Sequence, residues 1–157
     1  MLFRSATPED IAPAIADAVL RLGPGGVLIA PVQLSWPGVP GRWPLESSLT
    51  LWHAIRDATD AGLTIVAAAG NEAWAATFPT HADFIEFATW DSGSVLVGCA
   101  PTPCVKHARL TTDQAPVQHA RVDVHSWGDG VATLPPQLTS GSSAASSIVG
   151  GGAAHLL

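Results

Sequence analysis

The sequence predicts a three-layer α/β/α fold in which helices cover both faces of a mainly parallel β-sheet. Segments with apolar residues at helical spacing alternate with short continuous apolar runs, which are typical of strands buried on both faces of a parallel sheet. The hydrophobic fraction of 47% and the charged fraction of only 13% provide the apolar side chains that such a core requires. Because 157 residues is the length of one ordinary domain, we expect residues 1–157 to form a single domain.

The first helix is predicted to begin after Thr7, which serves as its N-cap, with Pro8 as its first helical residue. Its inward face is formed by apolar residues at helical spacing, namely Ile11, Ile15, Ala18, Val19 and Leu22. Gly23 is a typical helix end, and the apolar run Val27–Ala30 then predicts the first buried strand.

A second helix and strand follow a loop at residues 35–47 that is rich in proline and glycine. We expect Ser47 or Ser48 to cap this helix, which runs to about Asp60. Its predicted inward side chains are Leu51, Trp52, Ile55 and Ala58. The apolar run at residues 63–69 predicts the second buried strand, and the alternation of helices and strands with short links predicts right-handed parallel crossovers.

The second half of the chain has shorter predicted elements. Residues 94–98 predict a third strand, and residues 122–125 and 131–133 predict two short strands around a turn. The serine-rich run at residues 140–147 then passes into small apolar residues. This composition predicts a final helix that is capped by serine and lies deep against the sheet.

The charge of the chain disfavours two classes of partner. The net charge is −6 and Lys106 is the single lysine, whereas nucleic acids and anionic membrane surfaces attract clustered lysine and arginine. No apolar run reaches the length of a membrane span, and no signal peptide is visible at the N-terminus. We therefore expect neither nucleic acid nor membrane as a partner, and a cytoplasmic location is the default expectation.

The two cysteines, Cys99 and Cys104, lie close together in the sequence with two prolines between them. Such a spacing permits a small loop disulfide, but buried or half-buried thiols are the favoured interpretation. Both alternatives stay open at the level of the sequence.

Four segments of the chain resemble motifs of the subtilisin-like serine proteases (subtilases) and occur in the family's order. Leu63–Glu72 resembles the segment with the oxyanion asparagine, and Gly141–Ser146 resembles the nucleophile motif Gly-Thr-Ser-x-Ala-Ser-Pro. Ser94–Ala100 is similar to the intervening strand, and Val122–Gly128 is similar to the stretch that precedes the nucleophile loop. The resemblance covers nearly the whole chain and implies a partial subtilisin-like fold.

The resemblance also implies a set of site residues. Ser143 takes the position of the catalytic nucleophile, and Asn71 would donate its side-chain amide to the oxyanion together with the backbone N–H of Ser143. The walls implied for the substrate pocket are the segment around Val32–Ser35, with Leu34 and Ser35 as its binding residues, and the residues Ala68, Ala69 and Gly70. We expect a peptide or protein substrate, no cofactor, and no metal ligands, since no acidic cluster matches a family calcium site.

One departure from the family concerns the base that would activate Ser143. In subtilases the catalytic aspartate and histidine occur in Asp-x-Gly and His-Gly-Thr contexts that precede all four segments. The chain contains no His-Gly-Thr, and neither context stands ahead of the strand at residues 27–30. We therefore expect a domain that lacks the N-terminal part carrying these two residues. A metal site of Asp123, His125 and His119 is conceivable, but solvated or packed histidines are the favoured interpretation.

Two functions follow from this pattern as hypotheses. The first is a subtilisin-like serine endopeptidase domain that hydrolyses peptide bonds through an acyl-enzyme and is incomplete and inactive as an isolated chain. The alternative is a degenerate module that binds peptide or protein without cleaving it. An unrelated α/β hydrolase is disfavoured because Ala145 stands where Gly-x-Ser-x-Gly requires glycine. A sheet without its first strands would expose an apolar edge, so we expect a homo-oligomer or a complementing N-terminal segment.

Overall fold

A computed structural model describes residues 7–38, 42–70, 81–86, 89–100, 121–133 and 137–156 of the chain. It confirms the predicted three-layer α/β fold. In these ranges a four-stranded parallel sheet, whose strands lie side by side in sequence order, is placed between helices that pack on its two faces. The predictions for Asn71, Cys104 and His119 fall outside the described residues.

The helices and strands follow the predicted order. The helices are α1 (Pro8–Leu22), α2 (Leu49–Asp60) and α3 (Ser142–Leu156), with a 3₁₀ helix at Leu45–Ser47. The strands are β1 (Val27–Ala30), β2 (Thr64–Ala68), β3 (Val95–Ala100), β4 (Val124–Trp127), β5 (Val131–Ala132) and β6 (Leu138–Thr139). The last two form a separate antiparallel pair. Within the described ranges, no helix is long and apolar enough to cross a membrane.

Both early helices begin at the caps that the sequence predicts. Thr7 forms a capping box with Asp10 at the start of α1, and Gly23 ends that helix with a positive φ of 67°. In α2 the Ser48 hydroxyl accepts a hydrogen bond of 3.2 Å from the backbone N–H of Leu51. Because these hydrogen bonds join residues close together in the sequence, the helix starts could be predicted from the sequence.

The carboxylate of Asp83 holds the segment 81–86 against the first turn of α2. It accepts hydrogen bonds from the backbone N–H and the hydroxyl of Thr50, at 2.9 and 2.7 Å, and a further one from the Ser48 hydroxyl. Partial burial alone would raise the pKa of Asp83, but these hydrogen bonds outweigh it and lower the pKa. The anion therefore stabilises the helix start and is itself stabilised there.

Two inward faces differ in part from the prediction. In α2, three of the predicted side chains, Leu51, Ile55 and Ala58, are fully buried and Trp52 is half-buried. In α1 the prediction for Leu22 is wrong, because that side chain is 47% exposed. Helix α1 packs mainly against α2, and Leu22, its last residue, is not among the side chains that pack into the core there.

The two faces of the sheet are packed with side chains of different size. Neighbouring residues of a strand point to opposite faces, so β2 contributes to both. The side toward α2, which we call the α2 face, holds many large buried side chains: Trp36, Trp43, Leu45, Leu51, Ile55, Ile65 and Leu96. The side toward α3, which we call the α3 face, is centred on smaller ones: Val66, Val97, Cys99 and Ala145.

The small residues of α3 let this helix lie close to the sheet and contact all four of its strands. A Cβ atom added to Gly150 would stand only 2.4 Å from Cγ1 of Ile29. At the other end of α3, the N–H of Gly141 donates to the carbonyl oxygen of Gly128 at 2.5 Å, and a Cβ on Gly128 would clash with Gly141. Glycine at these positions therefore sets how deep α3 sits and where it begins.

The later strands are displaced from their predicted ranges. Strand β4 begins at Val124, two residues after the predicted start. Just before it, the side chain of Asp123 makes a hydrogen bond that a backbone group makes in a regular strand. Its carboxylate accepts a 2.7 Å hydrogen bond from the N–H of Leu96. Strand β6, which is only two residues long, was not predicted from the sequence.

Candidate functional site

The candidate site lies where the chain leaves the carboxyl ends of β1 and β2 and meets the first residues of α3. Ser142 connects these segments from a fully buried position. Its hydroxyl oxygen accepts hydrogen bonds from the backbone N–H of Gly70 at 3.1 Å and from the Gln33 side chain at 2.8 Å. Ligand sites of parallel α/β sheets collect at this edge, so the position suits a binding or catalytic function.

Ser143, the predicted nucleophile, is partly exposed beside the buried Ser142. Its hydroxyl donates a 2.7 Å hydrogen bond to the carbonyl oxygen of Pro31. Among the described residues, nothing accepts a hydrogen bond from its backbone N–H. The first turn of α3 contains no acidic residue, so the positive end of the helix dipole is not compensated locally. A negative charge that develops beside Ser143 would be stabilised by both features.

The other predicted catalytic residue, Asn71, falls outside the described residues. The structure does describe Gly70, which precedes it in the sequence, just as Ser142 precedes Ser143. The hydrogen bond between Gly70 and Ser142 therefore joins the two predicted catalytic segments. Sequence reasoning paired these segments by resemblance, and the fold brings them into contact.

The predicted pocket walls divide into two groups. A cavity of about 220 Å³ is lined by Thr7, Pro8, Gln33, Leu34, Ser35, Trp36 and Arg42. It includes two of the predicted wall residues, Leu34 and Ser35. Ala68, Ala69 and Gly70 do not line this cavity, and the side chains of both alanines are fully buried. The pocket lies on the segment that follows β1.

Gln33 lies within the predicted wall segment around Val32–Ser35, whereas Arg42 was not predicted as a site residue. Arg42 belongs to a loop rich in proline and glycine. Paired hydrogen bonds of 2.8 and 2.9 Å between Leu34 and Trp43 fold this loop back on itself. This pairing across the loop, which the sequence pattern does not indicate, brings Arg42 to the cavity.

No base contacts Ser143 in the described part of the chain. The histidines described there are His53, His81, His125 and His155. None of them has a hydrogen bond to Ser143, whose hydroxyl is bonded to the carbonyl oxygen of Pro31. That the chain lacks the catalytic aspartate and histidine stays a prediction.

Two Asp-x-Gly sequences occur after β1, at residues 60–62 and 91–93. Their aspartates have arginine partners: Asp60 contacts Arg56 at 3.1 Å and Asp91 contacts Arg121 at 2.9 Å. Neither is hydrogen bonded to a described histidine. Within the described ranges these two aspartates therefore serve as ion-pair partners of arginine.

The conceivable metal site does not appear in the part of the chain that the structure describes. No group of three or more potential ligand side chains is found there. Asp123 is occupied by Arg121 at 2.6 Å and by the N–H of Leu96, and His119 lies outside the described residues. Cys99 is buried in the α3 face, and with Cys104 outside these ranges its predicted state stays a prediction.

A buried charged cluster beside α2 was missed by sequence reasoning. Glu46 is fully buried and Arg121 is nearly so, with 3.1 Å between its Nη2 and Oε1 of Glu46. The hydroxyls of Ser92 and Ser94 donate to the same oxygen. Arg121 also binds Asp123 at 2.6 Å. We refer to these residues as the Glu46–Arg121 cluster.

Burial raises the pKa of Glu46, although Arg121 and the two serine hydroxyls oppose the shift. For Arg121, burial would lower the pKa, but the neighbouring carboxylates outweigh it and raise the pKa. The cluster joins the 3₁₀ helix to the residues that lead into β3 and β4. Its composition indicates a structural function, since the arginine meets carboxylates and not an open cavity.

Comparison of the chain with protein-family models found no match, and comparison with curated proteins found none either.

Proposed function

We propose that this chain carries the nucleophile and the oxyanion donors of a subtilisin-like serine endopeptidase. Ser143 is the nucleophile, and Asn71 and the N–H of Ser143 are the oxyanion donors. The observation that supports this most strongly is the hydrogen bond from the N–H of Gly70 to the Ser142 hydroxyl. This bond connects the two segments at the residues that immediately precede Asn71 and Ser143.

The chemistry follows from the position of Ser143 at the start of α3. Attack of its hydroxyl oxygen on a peptide carbonyl forms a tetrahedral intermediate with negative charge on the former carbonyl oxygen. The backbone N–H of Ser143, which has no acceptor among the described residues, and the positive end of α3 would stabilise that charge. A preorganised amide from Asn71 would add to it. Collapse of this intermediate expels the amine and leaves the acyl group on the oxygen of Ser143. Water then hydrolyses this acyl-enzyme.

The proposal includes a requirement for a base. The Ser143 hydroxyl donates to a backbone carbonyl oxygen, which is far too weak a base to take its proton. Without a histidine and its orienting acid, the serine hydroxyl remains a poor nucleophile. We therefore propose that the isolated chain is inactive as a peptidase and that a complementing segment or partner chain supplies the aspartate and histidine.

The test is a cleavage assay on the complemented protein. The chain is co-expressed with the aspartate- and histidine-bearing N-terminal part of a subtilisin-like protease, and the complex is incubated with a mixed peptide library. We expect cleavage that Ser143→Ala abolishes and that Ser147→Ala retains. Ser147 is the matched control because its exposed hydroxyl only bonds the carbonyl oxygen of Ser143. A complex that forms but cleaves nothing would overturn the proposal.

A second candidate function is a module that binds peptides without cleaving them. The open cavity beside Leu34 and Ser35 favours it, because binding there needs no activated serine. On this hypothesis the immobilised chain retains extended peptides, and Ser143→Ala leaves their affinity unchanged. Failure to retain any peptide would exclude this function.

We further propose that the chain works with a partner, which is either a complementing segment or a second copy of itself. The support comes from β4, where Val124 is 37% exposed and Trp127 is 42% exposed. Apolar side chains of this size on a terminal strand of the described sheet favour association. Size-exclusion chromatography tests this, and a concentration-independent monomer that also fails to bind the complementing segment would contradict it.

A further inference from the structure

We infer that the cavity lined by Gln33–Trp36 and Arg42 binds an acidic side chain of a peptide, with the guanidinium group of Arg42 as the group that recognises the carboxylate. The inference names the class of substrate for the proposed function and rests on that function, since it needs a peptide to lie along this segment. It starts from the way the cavity is built.

The position of Arg42 is fixed by the fold of its own loop. Leu34 and Trp43 exchange backbone hydrogen bonds of 2.8 and 2.9 Å, so the chain runs back antiparallel to the segment that follows β1. This pairing sets Arg42 across from Ser35, and Nη1 of Arg42 donates a 2.6 Å hydrogen bond to the Ser35 hydroxyl. One end of the guanidinium group is thereby held at the cavity, while its other N–H groups have no acceptor within the described ranges.

Arg42 also differs from the other described arginines in its partners. Arg21 and Arg56 pair with aspartates one helical turn away, and Arg121 contacts three carboxylates. For Arg42, the only side-chain partner within the described ranges is the Ser35 hydroxyl. In a chain with a net charge of −6, this cation without a carboxylate partner lies at the cavity. An anionic group from outside the described residues would complete it.

Two acidic residues, Glu9 and Asp10, follow the cavity-lining residue Pro8 directly in the sequence. Thr7 and Pro8, at the start of α1, line the cavity. The carboxylate of Asp10 accepts hydrogen bonds from the backbone N–H and the hydroxyl of Thr7, at 3.1 and 3.0 Å. These bonds lower the pKa of Asp10 and keep it in the capping box of α1. Asp10 therefore caps its own helix, and among the described residues no ion pair joins Arg42 to Glu9 or Asp10.

The walls of the cavity suit the rest of an acidic side chain and place it near the proposed nucleophile. Pro8, Leu34 and Trp36 provide apolar contacts for a short methylene stem. Gln33, which also lines the cavity, donates a 2.8 Å hydrogen bond to Ser142, the residue before Ser143. The occupant is thus an aspartate or glutamate side chain close to the bond that Ser143 would attack, with a planar guanidinium to meet its carboxylate.

Fluorescence anisotropy with capped, labelled hexapeptides of alanine and glycine tests the inference. One glutamate is moved through the six positions, and each peptide is compared with its glutamine counterpart. We expect one position at which glutamate binds the intact chain about fivefold more tightly than glutamine, an effect of the size that a partly solvated ion pair gives. Arg42→Gln should remove this preference, and Arg42→Lys should keep part of it.

Arg56→Gln is the matched control, because it removes the same charge from an exposed arginine on α2 and should leave the preference intact. Equal affinity of glutamate and glutamine peptides at every position, or a preference that survives Arg42→Gln, would overturn the inference. These measurements require no cleavage and are repeated with Ser143→Ala. A preference without cleavage therefore counts only against the proposed peptidase, whereas cleavage without a preference counts only against the acidic substrate.

Discussion

The two faces of the sheet differ in the size of their buried side chains and in what those side chains hold in place. The α2 face is packed with tryptophan, leucine and isoleucine, and the adjoining Glu46–Arg121 cluster buries an ion pair. The α3 face is built from alanine, valine and glycine, so α3 comes down close to the strands and its first serines reach the edge of the sheet. The difference teaches that small side chains bring the candidate site into position, while large side chains and paired charges hold the opposite face together.

The largest effect is expected from breaking the ion pair beside the α2 face. Arg121→Met leaves Glu46 buried without its cation, and such a loss costs about 3–5 kcal/mol of the free energy of unfolding. Urea denaturation measures it, with Arg56→Met as a control because Arg56 forms an exposed pair with Asp60. If Arg121→Met cost under about 1 kcal/mol, the structural interpretation of the cluster would be wrong.

The serines of α3 provide the next test, because two neighbours should differ in function. Ser142→Ala removes the buried oxygen that accepts hydrogen bonds from the N–H of Gly70 and from Gln33. It should lower the free energy of unfolding by about 2 kcal/mol. Ser143→Ala removes one partly exposed hydrogen bond to Pro31 and should cost less than about 1 kcal/mol. Thermal and urea unfolding of both variants decide the matter. Equal losses would remove the distinction between a structural and a functional serine.

A pair of glycines tests whether small residues set the depth of α3. Gly150→Ala should destabilise by about 1 kcal/mol, because the clash with Ile29 exceeds the gain in helix propensity. Gly151→Ala meets no atom within 4 Å and should stabilise by roughly 0.5–1 kcal/mol. The contrast in sign is the result to check by urea denaturation. Stabilisation by both substitutions would show that α3 has room to spare above the sheet.

The smallest expected effect is a dependence of stability on pH. Burial raises the pKa of Glu46 above its ordinary value of 4.5, so the folded protein holds this proton more tightly than the unfolded chain. The resulting stability is fully present below pH 4.5 and is lost as the pH rises through the raised pKa. Relative to Glu46→Gln, the wild type should therefore become less stable with rising pH.

Asp83 supplies the opposite sign for the same measurement. Burial would raise its pKa, but the hydrogen bonds from Ser48 and Thr50 lower it below the ordinary value of 3.8. Its contribution is present above pH 3.8 and is lost as the pH falls through the lowered pKa. Relative to Asp83→Asn, the wild type should lose stability on acidification. The same direction of change for Glu46 and Asp83 would contradict the two assigned environments.

Most of the fold was predictable because its signals are local. Thr7, Ser48 and Gly23 stand at the caps that their hydrogen bonds and backbone angles require. The apolar runs that form β1 and β2 pair in the predicted parallel arrangement. The start of β4 was displaced because the carboxylate of Asp123, and not a backbone carbonyl, accepts the hydrogen bond from the N–H of Leu96.

Less of the candidate site was predictable, because its contacts join distant parts of the chain. The sequence indicated Ser143 and Asn71 through resemblance, and these roles remain predictions. The link between Gln33 and Ser142 spans 109 residues, and the position of Arg42 depends on the Leu34–Trp43 pairing. Nor did any local pattern join Glu46 to Arg121 across 75 residues. Periodicity and capping describe neighbours in sequence, so they are silent on such pairs.

The central claim is that Ser143, and not one of its neighbouring serines, is the nucleophile. Mass-spectrometric mapping of a fluorophosphonate adduct on the complemented protein tests it most directly, since the run 140–147 offers several serines to the reagent. We expect a single adduct on Ser143 that is lost in Ser143→Ala and absent from the uncomplemented chain. An adduct on another serine, or a complemented complex that forms and stays unlabelled, would contradict the claim.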